Sequence, residues 1–343
     1  MKRSINRPLL LAAIGFLFVC VLPPLEAQTE FRKIRLTERY YCDGVATGDI
    51  DGDGHADVVA GPFWYAGPLF QKAHEFYPAE PLAPEDHPSN SMFSFVHDFS
   101  GDGRLDILVL GRVHKHAAYW YENPGNKKDL WRKHYAFERV RGESPMLVDI
   151  DKDDSPELIT HWDGAWGWIE PQEDPAAPWK FHAIEESRDW PQFYHGQGVG
   201  DINGDGRLDL VINDGWYEHP EATRSQHWIF HQHKFSHDRG GAQMYVMDVD
   251  NDGDSDVISA LNGHGWGLAW FEQQQEGKKI SFVKHRMMGD RSEEQKFGVA
   301  FSQVSGVEGL CRINGPNTRE ASLLTRLVCQ DERAVVKIMV RRG

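Results

Sequence analysis

The sequence predicts an all-β fold built from repeated four-stranded antiparallel units, on three observations. An acidic loop pattern recurs five times. An aromatic segment follows each copy, and a short strand-like segment ending in His closes four of the five units.

The acidic loops are Asp49-Ile-Asp51-Gly-Asp53-Gly-His-Ala-Asp57, Asp98-Phe-Ser100-Gly-Asp102-Gly-Arg-Leu-Asp106, Asp149-Ile-Asp151-Lys-Asp153-Asp-Ser-Pro-Glu157, Asp201-Ile-Asn203-Gly-Asp205-Gly-Arg-Leu-Asp209 and Asp248-Val-Asp250-Asn-Asp252-Gly-Asp-Ser-Asp256. They are numbered one to five below. Their starts lie 49, 51, 52 and 47 residues apart. Oxygen-bearing side chains at loop positions 1, 3 and 5, a glycine at 6 and a carboxylate at 9 suit a loop that wraps a hard cation. Calcium takes six to eight oxygens at roughly 2.3–2.6 Å, and glycine permits the sharp turn that points alternate side chains inward. One such loop could be an ordinary solvated turn; five at regular spacing predict up to five calcium sites.

These loops are not EF-hands, because position 12 is Ala60, Val109, Thr160, Ile212 and Ser259 rather than Glu. Their flanks are β-like, as in Val58-Val59-Ala60-Gly61 and Ile107-Leu108-Val109-Leu110, so each loop joins a first strand to a second. The third strand is the aromatic segment: Trp64-Tyr65, Trp120-Tyr-Glu-Asn-Pro124, Trp168-Ile-Glu-Pro171, Trp216-Tyr-Glu-His-Pro220 and Trp270-Phe-Glu272. The fourth is Trp131-Arg-Lys-His134, Trp179-Lys-Phe-His182, Trp228-Ile-Phe-His231 and Phe282-Val-Lys-His285. Four short strands per unit of about 40–50 residues make a β-propeller of four-stranded antiparallel blades, and the recurring Trp is expected to pack between blades. Phe31-Arg-Lys-Ile34 stands 18 residues before Asp49, as Trp131 stands 18 before Asp149. It reads as an orphan outer strand that completes the last blade and so closes the ring.

These loops resemble the FG-GAP/VCBS repeat family, the calcium-loop propellers that include the head of integrin α subunits and many bacterial exported proteins. The resemblance covers residues 30 to 300. It implies a ring of six to eight blades, of which five are recognisable here and six to seven are expected, with calcium as a structural ligand. The fold hosts adhesion, ligand binding and sugar chemistry alike, so it does not imply one function. Tyr119-Trp-Tyr-Glu-Asn-Pro-Gly125 followed by Trp131 is more distantly similar to the propeller part of aldos-2-ulose dehydratase-type enzymes.

The metal ligands expected from the loops are Asp49, Asp51, Asp53 and Asp57; Asp98, Ser100, Asp102 and Asp106; Asp149, Asp151, Asp153 and Glu157; Asp201, Asn203, Asp205 and Asp209; and Asp248, Asp250, Asp252 and Asp256. Loop three departs most from the template, with Asp154 in the glycine position and Pro156 before Glu157, and is expected to be the poorest site; Ser100 weakens loop two.

The formal charge of the chain is −15, from 37 basic and 52 acidic residues, which argues against a nucleic-acid partner. Twenty of the 52 acidic residues lie in the five loops. Residues 1 to 27 read as a cleavable export signal: Lys2, Arg3 and Arg7, an apolar run from Leu9 to Leu22, and Ala27 at the end. Its removal leaves −17 and no membrane span, and places the protein in the periplasm, at the cell surface or outside the cell. Cys42, Cys311 and Cys329 make no disulfide framework; a buried thiol or one incidental Cys311–Cys329 bridge is the expectation. The domain division is thus signal 1–27, propeller 28–300 and an atypical tail 301–343.

In an antiparallel blade the first-to-second and third-to-fourth turns share one face, and the remaining connections share the other. That other face carries His114, His116, Trp162, Trp190, His195, Arg239, His264 and Trp266, a composition suited to a polar ligand or sugar ring. Catalytic residues are not identifiable. No Gly-x-Ser-x-Gly, His-Glu-x-x-His, Walker or dinucleotide fingerprint is present. Two functions fit: a calcium-stiffened module that recognises a glycan or protein, or a sugar lyase or dehydratase using His or Asp of that face.

The tail breaks the pattern. No Asp occurs between Asp290 and Asp331, and no aromatic residue follows Phe301. It is expected not to belong to the ring as the family builds it, through truncation or a shifted reading frame. Translating the encoding DNA in the other two frames beyond residue 303 should then reveal a further acidic loop; its absence removes the frame-shift account.

Overall fold

The computed structural model describes residues 31–83, 88–111, 117–126, 129–221, 227–237, 240–263 and 267–289, and the strands of 310–341 in backbone outline. The segment read as an export signal lies outside the described residues. Among them there is no helix, hence none long and apolar enough to cross a membrane.

Strand β1 (Phe31–Arg35) precedes five consecutive sheets. The first is β2 (Val45–Gly48), β3 (Asp57–Ala60), β4 (Phe63–Tyr65) and β5 (Ala73–Glu75); the second is β6 (Phe93–His97), β7 (Asp106–Leu110), β8 (Ala118–Glu122) and β9 (Arg132–Phe137). The third is β10 (Met146–Val148), β11 (Glu157–Trp162), β12 (Ala165–Glu170) and β13 (Lys180–Ala183); the fourth is β14 (Gln197–Gly200), β15 (Asp209–Ile212), β16 (Gly215–Glu218) and β17 (Ile229–Gln232). The fifth is β18 (Tyr245–Met247), β19 (Asp256–Ala260), β20 (Leu268–Glu276) and β21 (Lys279–Met288). Each is antiparallel and ordered as in sequence, so these are the blades of a β-propeller, and each acidic loop joins a first strand to a second.

A sixth sheet has the order β1-β24-β23-β22, where β22 is Leu310–Cys311, β23 is Leu323–Gln330 and β24 is Arg333–Arg341. The N-terminal strand pairs with the C-terminal one, Phe31 opposite Arg341 and Arg35 opposite Lys337. Ile34 and Leu36 in turn pack against Cys42, Val58, Ala60, Tyr65 and Phe70 of the first blade. Strand β1 thus completes a four-stranded sheet as the spacing of Phe31–Ile34 predicts, but the other three strands of that sheet come from residues 310–341, which the sequence reading set outside the ring.

Second strands read as unbroken apolar runs because both of their faces are covered: β3, β7 and β15 are buried at every position. The first strand of the fourth blade, β14, crowds against the fifth blade so closely that two of its positions admit only glycine. A Cβ on Gly198 would lie 2.6 Å from the Met244 carbonyl oxygen, and one on Gly200 would lie 2.4 Å from Val246 Cβ. Between blades the core is continuous. Ile50, Val59, Trp64 and Phe76 of the first pack on Ile107, Val109, Tyr121 and Trp131 of the second, and equivalent clusters join second to third, third to fourth and fourth to fifth. The Trp that opens each fourth-strand segment also stitches blades through its backbone. Trp131 N donates to Phe76 O at 2.9 Å, Trp179 N to Ala136 O at 2.8 Å and Trp228 N to Ile184 O at 2.9 Å.

The third-strand Trp has a second role that periodicity alone does not show. In all five blades it lies directly across from a fourth-strand His and stacks on it: Trp64 on His74, Trp120 on His134, Trp168 on His182, Trp216 on His231 and Trp270 on His285. The ring centroids of Trp120 and His134 are 3.9 Å apart at 7°. In four blades the His Nε2 meets the Glu two residues after the Trp, at 2.7 Å for Glu122 and Glu170, 2.8 Å for Glu218 and 2.5 Å for Glu272. The first blade has Ala66 there and lacks the pair.

Because Trp120 is fully buried and also packs between sheets, Trp120→Ala should cost about 3–5 kcal/mol in a denaturant melt. Trp270, which is only half-buried, should cost less on the same replacement. Equal losses at the two sites would refute the packing assignment.

Candidate metal centre

All five loops share one backbone. Position 4 is left-handed in each, at φ 73° for Gly52, 72° for Gly101, 63° for Lys152, 72° for Gly204 and 64° for Asn251. Position 6 is too, at 87° for Gly54, 85° for Gly103, 71° for Asp154, 86° for Gly206 and 99° for Gly253. A Cβ on any of those glycines would meet nothing within 4 Å, so Asp154 costs loop three backbone strain but no clash. Loop three therefore keeps the template despite its sequence.

The position 1 carboxylate organises each turn by accepting the N–H groups of positions 5 and 6. Asp49 takes Asp53 N at 3.0 Å and Gly54 N at 2.9 Å, and Asp149 takes Asp153 N at 3.1 Å and Asp154 N at 3.0 Å. The position 9 carboxylate is fully buried in every loop. One of its oxygens accepts a backbone N–H from the start of its own loop: Ile50 to Asp57 at 2.8 Å, Ser100 to Asp106 at 2.8 Å, Ile150 to Glu157 at 2.9 Å, Ile202 to Asp209 at 2.8 Å and Val249 to Asp256 at 2.9 Å. The other accepts an N–H from the residue three after the third-strand Trp: Gly67 to Asp57 at 2.8 Å, Asn123 to Asp106 at 2.7 Å, His219 to Asp209 at 2.8 Å and Gln273 to Asp256 at 2.8 Å. The third blade is the exception. Its equivalent residue is Pro171, which has no N–H, and Glu157 Oε1 is buried without a hydrogen-bond partner.

Burial pushes four of these carboxyls up despite the hydrogen bonds. Asp57 is raised, Asp106 is raised to about 6, Asp209 to about 7 and Glu157 to about 8. Desolvation is the main cause in each, with the neighbouring loop carboxylates adding to it. In loop five Asp254 is raised to about 6 by desolvation and then by Asp252, Asp256, Asp250 and Asp248, and its Oδ1 is buried with no partner.

Three sets of carboxylates converge so that one oxygen from each lies within 4.8 Å of the others: Asp49, Asp51 and Asp53; Asp149, Asp151 and Glu157; and Asp248, Asp250 and Asp256. Loops two and four do not gather such a set among the described residues. In them the position 7 arginine turns back onto the loop. Arg104 pairs with Asp102 and Arg207 with Asp205, while Arg104 Nε donates to Asn123 O and Arg207 Nε to His219 O, both at 2.9 Å.

Of the residues expected on the opposite face, His114, His116, Arg239, His264 and Trp266 lie outside the described residues. Trp162 is half-buried between blades, edge-on to Phe137 at 5.7 Å. Trp190 Nε1 donates to Glu185 Oε1 at 2.6 Å. His195, almost buried, places Nε2 3.0 Å from Glu143 Oε2. Sequence reasoning missed both glutamates. Glu185 is buried and also accepts from Trp166 N, Tyr217 OH and Arg188 Nε, joining third and fourth blades. Neither belongs to a repeating motif, so only the fold reveals them. His161, on the same face, is fully buried with neither ring nitrogen hydrogen-bonded; burial, with Arg141 nearby, holds it down at about 4, so it is neutral.

Residues 98–160, which span loops two and three, match the model of the FG-GAP-like repeat. No curated protein matches the chain. Solved structures to which it is similar include the Vibrio cholerae biofilm matrix protein Bap1, at 16% identity and a TM-score of 0.41, covering 71% of this chain and 41% of that one. The chain thus spans under half of that protein. A structure of BBS1N in complex with ARL6DN is similar at 12% identity and a TM-score of 0.38, covering 88% and 93% of the two chains. A putative oxidoreductase (glucose dehydrogenase) of Thermus thermophilus is similar at 10% identity and a TM-score of 0.40, covering 90% and 100%.

The raised carboxyls fix a sign. Asp106, Asp209 and Glu157 hold protons in the folded chain at pH values where the unfolded chain, with carboxyls near about 4, has lost them. Their contribution is present below about pH 4 and is lost as pH rises through 6 to 8. In chelator, Glu157→Gln should therefore weaken the decline in melting temperature between pH 5 and 8. An identical decline in the variant would contradict the assignment.

Proposed function

We propose that this chain, a β-propeller carrying an FG-GAP-like repeat, is an exported binding module for a glycan or protein, stiffened by calcium in its acidic loops. The observation that supports it most is the unsatisfied carboxylate chemistry. Glu157 Oε1 and Asp254 Oδ1 are buried without partners, and three carboxylate sets converge within 4.8 Å. A hard cation supplies what such groups lack: it compensates their repulsion and fills the oxygens that hydrogen bonds leave open. The residues fit that role, with Asp49, Asp51 and Asp53 in loop one, Asp149, Asp151 and Glu157 in loop three, and Asp248, Asp250 and Asp256 in loop five.

The ligand face is the one opposite the loops. Calcium there acts at a distance, by fixing the turns that hold each blade's first, second and third strands together. The His195–Glu143 pair favours a second reading, a sugar lyase or dehydratase in which His195, oriented by Glu143, moves a proton. No complete catalytic set accompanies it among the described residues, so binding takes precedence.

Calcium should raise the melting temperature, because a ligand that binds only the folded chain stabilises it by mass action. Excess chelator should lower it. Binding on a glycan array should survive His195→Gln with at most a modest loss. Turnover of an array hit that is abolished by His195→Gln would establish the enzyme reading instead, and a melting curve indifferent to chelator would refute the calcium role.

A further inference from the structure

We propose that the sixth sheet binds a carboxylated polysaccharide, through a row of basic residues that only the pairing of β1 with β24 brings together. The pairing sets Lys337 directly opposite Arg35, and Arg326 directly opposite Lys337. Three basic residues thus stand in one row across three adjacent strands. Residues two apart on a strand share a face, so Lys33 on β1 and Arg333 and Arg341 on β24 belong to the face that carries this row. No Asp or Glu occurs in β1, β23 or β24. The sequence shows no such patch as a run, because its members lie at opposite ends of the chain.

Like charges directly opposite one another on neighbouring strands are destabilising. In a chain of formal charge −15 with acidic residues to spare, a row of cations without interleaved carboxylates calls for an outside anion. Glu38, just past β1, meets Arg35 at 2.6 Å and offsets one charge. The others are left for a ligand that carries several negative charges along its length. The face is open where its side chains are described. Lys33 and Arg35 are exposed, whereas Ile34 between them packs with Cys42, Val58 and Tyr65 on the first blade.

The fifth blade, which precedes this sheet in the chain, is open as well. Trp64, Trp120, Trp168 and Trp216 are buried to 3% exposure or less, yet the equivalent Trp270 is only half-buried. Met247 and Val283, on the same face by register, are 51% and 40% exposed. The sixth sheet therefore does not seat on the fifth blade as blades two to five seat on their predecessors. An unfilled space between two sheets admits a single extended chain and excludes a duplex or a bilayer. Among single chains a polysaccharide fits better than a nucleic acid, because β23 and β24 bring no aromatic residue on which bases could stack. This surface is distinct from the face opposite the loops, so it stands or falls independently of the binding and calcium roles proposed above.

Biolayer interferometry of the full chain on immobilised polygalacturonate tests the proposal, with neutral dextran, single-stranded DNA and phosphatidylglycerol vesicles as comparisons. Polygalacturonate should bind, and less tightly as salt is raised. Dextran should not bind, and DNA and vesicles should bind more weakly. The double variant Lys33→Gln with Arg35→Gln should weaken binding several-fold, as the loss of two exposed charge contacts implies. Arg326→Gln with Lys337→Gln, on the other two strands, should do the same, with circular dichroism confirming that each variant is folded. The second pair should also raise the melting temperature in the absence of polysaccharide, since it relieves the opposed charges. Undiminished binding by the folded double variants overturns the proposal. So does equal binding to dextran, tighter binding to DNA or vesicles, or no binding to polygalacturonate at low salt.

Discussion

The buried carboxylate at loop position 9 is the contact on which each blade depends. It takes one N–H from the start of its own loop and, in four blades, one from the end of the third strand, so a single side chain holds two turns on one face in register. A charge-assisted hydrogen bond to backbone is strong enough to repay part of the desolvation that burial imposes, though not all of it, which is why Asp106 and Asp209 are raised above the usual carboxylate range.

Two further devices work with this one. The Trp–His–Glu stack fixes the outer half of a blade, pinning third strand to fourth, while the position 9 carboxylate fixes the inner half. Between them lie the apolar second strands, buried on both faces. Closure differs in kind, because it relies on backbone pairing between β1 and β24 and on Ile34 and Leu36 reaching the first blade.

Much of this was legible in sequence because the information is periodic. The loop template marked the first and second strands, the Trp segments the third and fourth, and the spacing of Phe31 the closing strand. What escaped is what depends on register between strands. That His134 meets Glu122 follows only once Trp120 is placed opposite His134. Glu143 and Glu185 occur once each, in connections of different length, and no repeat marks them. The ligand face was legible in composition but not in arrangement. There Trp190 is drawn onto Glu185 and the strand residue His161 is wholly enclosed, so a residue of suitable type on that face need not meet a ligand.

The acidic surplus has a correspondingly local meaning. Twenty acidic residues sit in five loops, yet they do not pose five equal problems. In loops two and four a neutral residue at position 3 removes one charge and an arginine at position 7 offsets another. In loop three the exchange of a third-strand N–H for proline would leave an aspartate stranded, and the chain carries instead a glutamate, one methylene longer. That pairing makes sense if the carboxylate there answers to something besides the backbone. With a divalent cation in each of the five loops, the charge expected after loss of residues 1 to 27 would move from −17 to −7, so the remaining surplus would be ordinary solvated surface.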